Sequence, residues 1–139
     1  MRLLARREHS RAELSTKLVS RGHDREILGA VLEQLETDDY LSDERFASSY
    51  VRSRVGKGYG PVAIRSGLRE RGVRGAIADL AMEEVDDDWQ TLCEQSRQRK
   101  FGEQGPDNRK DWGVQARFLA RRGFSEGQIR TVLRAVSKM

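Results

Sequence analysis

Apolar residues recur every three or four positions through the strong stretches of this chain, rather than at every second position. A period near 3.6 residues is typical of an amphipathic α-helix that buries one face. The chain has only two prolines and few β-branched runs, which favours helices over strands. The pattern therefore predicts an all-α fold.

Three segments of the chain align with one another around an Arg-Gly pair. Their glycines, Gly22, Gly72 and Gly123, stand 50 and 51 residues apart. A leucine lies four residues before each glycine, and a helix-starting residue lies twelve before it: Leu18, Leu68 and Leu119, and Ser10, Gly60 and Asp111. A register that is kept three times predicts tandem units. We place them at residues 10–56, 57–104 and 105–139, the last one incomplete, with residues 1–9 ending a preceding helix.

Each complete unit is expected to contain three helices. The first opens on a Ser10–Glu13 capping box or on Pro61, and the Arg-Gly pair ends it, because glycine adopts the left-handed conformation of a helix C-terminus. The expected stripes of the second helices are Ile27, Val31 and Leu35, then Ile77, Leu80 and Ala81, then Ile129, Leu133 and Val136. Those of the third helices are Phe46, Ala47, Tyr50 and Val51, and Trp89, Leu92 and Cys93. Tandem three-helix repeats of this kind predict an elongated, curved rod.

The segment GKGYGP, Gly56 to Pro61, has the glycines and the lysine of a phosphate-binding loop. Such a loop normally follows a β-strand and opens a helix, whereas an amphipathic helix precedes Gly56. The glycines therefore predict a turn between two helices. Lys57 and Tyr59 remain as candidate contacts with a partner.

Composition argues against an enzyme, a cofactor-binding protein and a membrane protein. Cys93 is the single cysteine, so no internal disulfide can form, and we expect it to be buried and inert. No apolar stretch approaches a membrane span, and the protein is expected in the cytoplasm. The acidic clusters TDDYLSDER and EEVDDDW lie at predicted helix starts, where carboxylates act as caps rather than as metal ligands. We therefore predict no catalytic residue, no metal and no cofactor.

Charge is the main functional signal. The chain has a sequence pI near 9.6, and its charges alternate in blocks, with a net +6 over residues 50–75, −7 over 76–95 and +7 over 96–139. Repetition in space would turn the basic blocks into a basic ridge, although a solvated face that contacts nothing has the same composition. The candidate partner-binding residues are Arg52, Arg54, Lys57, Tyr59, Arg65, Arg69, Arg117, Arg121 and Arg122.

Residues 38–73 closely resemble the signature region of the RecX family, bacterial regulators of the RecA recombinase. The resemblance rests on Tyr40-Leu41, Arg45-Phe46-Ala47, the turn Gly58 to Pro61, and Ile64, Arg65, Leu68, Arg71 and Gly72. Departures are Asp39 for a usual glycine, Ser42 for a usual acidic residue and Gly67 for a usual polar helix former. The resemblance implies tandem three-helix repeats and a monomer that binds RecA–DNA filaments, lowering their ATPase, strand-exchange and coprotease activities.

Two other functions fit the same residues. A stand-alone nucleic-acid-binding module would use the basic helix ends to follow phosphates, with Tyr59 stacking on a base. A weak direct contact with DNA is also compatible with filament binding. An adaptor would instead use the acidic blocks to hold a basic partner.

Overall fold

The computed structural model describes residues 7–137, and within this range the chain forms eight α-helices and no strand, as predicted. The helices are α1 (Arg11–Ser20), α2 (Arg25–Thr37), α3 (Asp43–Gly56), α4 (Pro61–Glu70), α5 (Ala76–Glu83), α6 (Trp89–Phe101), α7 (Arg109–Arg121) and α8 (Glu126–Val136). Of the helix predicted at residues 1–9, residues 1–6 lie outside the described range and residues 7–9 are not helical. The curved, elongated form of the array stays a prediction.

No helix between residues 7 and 137 is long and apolar enough to cross a membrane.

Most helix starts are capped as the sequence predicts. The side chains of Ser10, Asp24 and Ser125 accept hydrogen bonds from the first turns of α1, α2 and α8, and Ser125 forms a complete capping box with Gln128. Helix α4 begins at Pro61. The box predicted for Ser10 is only half formed, because the carboxylate of Glu13 instead pairs with arginines, at 3.0 Å from Arg7 and 3.7 Å from Arg71.

The predicted start of α7 at Asp111 is wrong by about one turn of helix. Helix α7 begins at Arg109, and its cap is Asn108, whose side-chain oxygen accepts a hydrogen bond from the Asp111 backbone N–H at 2.9 Å. Asp111 lies in the first turn, where its charge favours the positive end of the helix dipole. Both residue types are common at helix starts, so local composition alone did not separate them.

The three Arg-Gly pairs form one kind of turn. Gly22, Gly72 and Gly123 have φ values of 91°, 81° and 94°, in the left-handed region that glycine adopts without strain. In each turn the next residue donates its N–H to the carbonyl of the anchor leucine: His23 to Leu18, Val73 to Leu68 and Phe124 to Leu119. This is the hydrogen-bond pattern of a Schellman motif, which satisfies carbonyls at a helix end.

The segment GKGYGP contains the same turn. Gly58 has a φ of 88°, and Tyr59 donates its N–H to the carbonyl of Arg54 at 3.0 Å. Helix α4 then starts three residues after Gly58. The segment is a helix end followed by a helix start, as predicted, and no strand precedes it within the described range.

The chain divides into two compact units. In its described part, the first unit contains residues 7–50 and 67–84, and α1 packs against α2 in it. Its leucine core consists of Leu14, Leu18, Leu28, Leu32 and Leu41. Phe46 and Ala47 are also buried, and Tyr50 is half-buried, which agrees with the predicted face of α3.

The second unit contains residues 51–66 and, as far as the described part extends, residues 85–137. Helices α6, α7 and α8 pack pairwise against one another in it. Its core consists of Leu92, Cys93, Leu119, Phe124, Ile129, Val132 and Leu133. Burial of Leu92, Cys93, Ile129 and Leu133 confirms the stripes predicted for α6 and α8, and Trp89 and Val136 pack at their edges.

Two of the predicted stripes are wrong in part. In α2 the buried residues are Leu28 and Leu32, whereas Ile27 is 65% exposed and Val31 is 38% exposed. The sequence offers two apolar series at helical spacing, shifted by one residue, and the leucines of α1 select the second one. Leu35 is half-buried at the edge of that core.

In α5 the same ambiguity has the same result. Ala78 and Met82 are buried beside Ala81, whereas Leu80 is 60% exposed and Ile77 is half-buried. The buried face of α5 therefore consists of Ala78, Ala81 and Met82, and of the predicted stripe only Ala81 is fully part of it.

Asp39 ends α2 in a conformation that favours glycine. Its φ of 62° makes it the one non-glycine residue with a positive φ in the described range. The left-handed backbone costs a residue with a side chain roughly 1 kcal/mol. Its carboxylate accepts a hydrogen bond from Arg45 at 3.0 Å, and an exposed ion pair of this kind offsets part of that cost.

Gly67 lies in the interior of α4, where a side chain would collide with the hydroxyl of Tyr50. We therefore expect Gly67→Ala to lower the melting temperature, because the cost of overpacking, about 1–3 kcal/mol, exceeds the gain of about 1 kcal/mol in helix propensity. Gly29 in α2 is the matched control, since no atom lies within 4 Å of the position that a Cβ would take there. Gly29→Ala should raise the melting temperature. A rise for both variants would contradict close packing at Gly67.

Candidate functional site

Each of the last two Arg-Gly turns receives the start of a helix from the preceding repeat. In the first unit, the Ser10 hydroxyl donates to the Arg71 carbonyl at 2.6 Å, and Ala12 lies against Gly72. In the second unit, the Gly60 N–H donates to the Arg122 carbonyl at 2.7 Å. There, Val62 also donates its N–H to the carbonyl of Gly123 at 2.9 Å. We call this repeated arrangement the turn contact.

The two turn contacts depend on the absence of a side chain. A Cβ added at Gly72 would overlap Ala12, and one added at Gly123 would overlap Ala63. Across the second contact, a Cβ at Gly60 would come within 2.6 Å of the Gly123 backbone. Backbones approach this closely only where glycine is present. The turn glycines therefore both end a helix and admit the neighbouring helix start.

The two turn contacts differ in charge. In the first, the half-buried Glu13 carboxylate lies 3.7 Å from the Arg71 guanidinium. The position that matches Glu13 in the second contact is Ala63, three residues after Gly60, as Glu13 is three after Ser10. Arg122 therefore has no carboxylate at the place where Arg71 has one.

Aromatic rings contact both arginines: the Arg71 guanidinium carbon lies 4.9 Å from the ring centre of Tyr50. Arg122 contacts two rings. Its guanidinium carbon lies 5.0 Å from the ring centre of Tyr59 and 5.3 Å from that of Phe118. It also donates a hydrogen bond to the Lys57 carbonyl at 3.4 Å. Arg54 lies over the same tyrosine ring at 5.4 Å. Cation–π contacts of this kind fix a guanidinium in place without neutralising it.

A small cavity of about 130 Å³ lies beside this group. Four of its lining side chains are cationic: Lys57, Arg99, Lys100 and Arg122. Phe118 and Ser96 line it as well, and no carboxylate does. Arg99 donates to the Gly56 carbonyl at 3.2 Å, and the Lys100 ammonium lies 5.9 Å from the Phe118 ring centre. We call this the cationic pocket.

The other candidate residues lie outside the cationic pocket. Arg52, Arg65, Arg69 and Arg121 are exposed on α3, α4 and α7. Arg117 lies on the rim of a different cavity of about 420 Å³, which Trp112, Phe124 and Ile129 line. Of the nine residues proposed from sequence, the structure brings Arg54, Lys57, Tyr59 and Arg122 together.

Sequence reasoning missed four side chains of the cationic pocket, Ser96, Arg99, Lys100 and Phe118. They belong to the segment SRQRK of α6 and to the last turn of α7, about 40 and 60 residues from Lys57. The net charge of +7 over residues 96–139 included these cations without separating them from the rest. Only the packing of α6 and α7 in the second unit brings them to the turn.

The segment SRQRK also contains Arg97, which stabilises the fold through an ion pair and hydrogen bonds within the protein. The Arg97 side chain is fully buried, pairs with Glu94 at 2.6 Å, and donates to the carbonyls of Glu103 and Gln104 and to the amide oxygen of Gln115. Burial acts to raise the pKa of Glu94, but hydrogen bonds from Arg97 and Gln98 outweigh it and lower that pKa. The pair therefore stays ionised at neutral pH, and its stabilisation is lost only as the pH falls through the lowered pKa of Glu94.

The described residues hold no set of ligands for a metal ion. No group of three or more His, Cys, Asp or Glu side chains between residues 7 and 137 is arranged to bind one. Cys93 is buried, as predicted, and burial raises the pKa of its thiol to about 12. A thiol with this pKa is protonated at neutral pH and is a poor nucleophile.

Comparison with known proteins identifies the family. Three family models match in series: the first, second and third three-helix domains of RecX, at residues 1–35, 42–82 and 86–133. The chain belongs to the RecX family. It is 44% identical over 138 residues to the regulatory protein RecX of Halorhodospira halophila, covering 99% of this chain and 86% of the relative. It is 42% identical over 133 residues to that of Pseudomonas tolaasii, covering 96% and 86%.

Solved RecX structures share the fold. The crystal structure of RecX from Lactobacillus salivarius matches with a TM-score of 0.78 at 21% identity, over 97% of this chain and 90% of that one. A second crystal structure of regulatory protein RecX matches with a TM-score of 0.75 at 21% identity, over 94% and 66%. Tandem three-helix domains are therefore the architecture of this chain.

The family models begin each repeat at a different helix from the units that we predicted. The RecX domains at 42–82 and 86–133 begin with α3 and α6, which we had placed at the ends of the preceding units. In a tandem array the choice of the first helix is a matter of convention. Our boundaries at 56 and 104 stay a prediction.

Alanine substitutions at the turn glycines distinguish two costs to stability, the strain of the left-handed backbone and the steric overlap with a neighbouring helix start. Gly22 and Gly123 have almost the same φ, but nothing lies within 4 Å of the place that a Cβ would occupy at Gly22. Gly22→Ala should therefore cost only the left-handed strain, about 1 kcal/mol. We expect Gly123→Ala to cost more, because the second turn contact must open as well. Thermal unfolding followed by circular dichroism measures both, and equal losses would contradict the turn contact.

Proposed function

We propose that this chain regulates RecA by binding RecA–DNA filaments through its basic ridge, and that it lowers their ATPase, strand-exchange and coprotease activities. The observation that carries the proposal is membership of the RecX family along nearly the whole chain, with relatives that are named regulatory proteins. The ridge is defined by the nine residues proposed from sequence, from Arg52 to Arg122.

Repetition supports this function physically. A chain with basic side chains in successive repeats can contact several protomers of a helical polymer at once, and linked weak contacts gain affinity through effective concentration. Exposure of Arg52, Arg69, Arg117 and Arg121 leaves these side chains accessible to such a partner. A regulator that binds one filament state better than another shifts assembly and turnover without catalysing a reaction.

We propose that the chain acts as a monomer in the cytoplasm, with no cofactor. Its partner is the nucleoprotein filament.

The decisive experiment is a titration of RecA ATPase on single-stranded DNA with this protein at two salt concentrations. Filament regulation predicts a fall in ATP hydrolysis at a salt concentration where binding to bare DNA is already weak, since bare-DNA binding falls steeply with salt. Unchanged hydrolysis at a stoichiometric dose would exclude the proposed function.

Charge reversal tests the ridge. Arg65 and Arg69 lie four residues apart on α4, and both are exposed. We expect Arg65→Glu with Arg69→Glu to weaken inhibition of RecA ATPase about tenfold or more, because each replaces attraction to an acidic partner by like-charge repulsion. Circular dichroism should show unchanged helicity.

Arg130 and Arg134 on α8 provide the matched control. They have the same spacing, are exposed, and are not among the proposed ridge residues. Reversal of both to glutamate makes the same change in net charge and should leave inhibition near that of the parent protein. Equal losses for the two double variants would show that net charge alone governs inhibition.

A further inference from the structure

The cationic pocket concentrates positive charge without internal neutralisation. Lys57, Arg99, Lys100 and Arg122 line it, and none of the four forms an ion pair with a carboxylate of the described residues. Like charges held in one small cavity repel one another, and an anion placed among them relieves that repulsion.

The two arginines are held in place before any ligand arrives. Arg122 lies against the rings of Tyr59 and Phe118 and donates to the Lys57 carbonyl, and Arg99 donates to the Gly56 carbonyl. A guanidinium has five N–H donors, so these contacts leave donors for an anion. Positioning in advance reduces the entropy cost of binding.

Comparison of the two turn contacts shows that this charge is not required by the fold. The first contact has the same glycine turn and the same arginine, yet there the Glu13 carboxylate lies 3.7 Å from Arg71, besides its pair with Arg7 at 3.0 Å. The second contact has Ala63 at the matching position. A fold that can accommodate a carboxylate at this position in one repeat lacks it in the next.

The size of the cavity restricts the ligand to a chemical group rather than a whole molecule. Its volume of about 130 Å³ is well below the roughly 300–1,000 Å³ of sites that enclose drug-sized ligands. Cations already cover the rings of Tyr59 and Phe118, so these rings are not free platforms for base stacking. The pocket therefore suits an anionic group that projects from a polymer. It would recognise the charge of that group and not the identity of a base.

We propose that the cationic pocket binds a phosphodiester group of a nucleic-acid strand, independently of base sequence. The proposal goes beyond the proposed function, because it assigns two ridge residues, Lys57 and Arg122, to a direct contact with nucleic acid. Arg122 and Arg99 supply planar donors, and Lys57 and Lys100 supply ammonium charges.

The most direct test introduces, at the second turn contact, the carboxylate that Glu13 provides at the first. Ala63→Glu should bring a carboxylate to Arg122 as Glu13 comes to Arg71, and Ala63→Gln has the same size without the charge. Affinity for a fluorescent single-stranded oligonucleotide of mixed sequence is measured by anisotropy over a range of salt concentrations, without recombinase. We expect Ala63→Glu to bind several-fold more weakly than Ala63→Gln. The slope of log affinity against log salt should shrink by about 0.7 for each phosphate that the protein no longer neutralises.

A second pair of variants keeps the test valid if position 63 tolerates no larger side chain. Lys57→Ala with Lys100→Ala removes two exposed cations of the pocket, and Lys110→Ala with Arg134→Ala removes two exposed cations elsewhere in the second unit. Only the first double variant should lose affinity and salt dependence. Melting temperatures of all variants show whether each one is folded.

Three results would overturn the proposal. The first is equal binding by Ala63→Glu and Ala63→Gln together with equal binding by the two double variants. The second is an equal loss for Ala30→Glu, an exposed position of α2, which would mean that only net charge matters. The third is polyglutamate binding with the same sensitivity to Ala63→Glu, which would make the pocket a site for acidic protein segments. The proposed function is tested separately, by the effect of the parent protein on RecA ATPase, so either proposal can fail without the other.

Discussion

The close approach of a helix start to a glycine turn is the constraint on which the repeat architecture depends. Gly72 and Gly123 each end a helix in the left-handed conformation, and each leaves room for a helix start about sixty residues earlier in the chain. A single residue type thus satisfies a local requirement and a long-range one. Because a Cβ at either glycine would violate both requirements, we expect the turn to tolerate little substitution.

Arginine has three different roles in this chain, although its charge is the same in each. Arg97 is buried and holds the loop after α6 through backbone carbonyls and an ion pair. Arg122 is fixed between aromatic rings and remains un-neutralised, and Arg69 is exposed on a helix surface. The net charge of a segment counts these arginines equally and does not distinguish their roles. Surface electrostatics therefore has to be read from burial and partners, not from the count of basic residues.

The sequence was informative at most positions where the determining interaction is local, although it misplaced the cap of α7. Caps such as Asp24 and Ser125, the turn glycines and the anchor leucines were predicted because they depend on residues within one turn of helix. The inward face of α2 was not, because two apolar series have equal helical spacing and only packing against α1 chooses Leu28 and Leu32. Tertiary packing likewise decided the cationic pocket, whose side chains come from three separated segments. Periodicity finds an amphipathic helix more reliably than it finds its buried face when both candidate stripes are apolar.

Burial of the single thiol has a practical consequence for studying this molecule. Cys93 is fully shielded, and its pKa of about 12 keeps it protonated in neutral buffer. A cysteine introduced at a solvent-exposed helix position would therefore be the one thiol that reacts readily with a maleimide dye while the chain is folded. Fluorescent labelling can thus report where each repeat sits on a polymer, with the native cysteine left in place and the hydrophobic interior undisturbed.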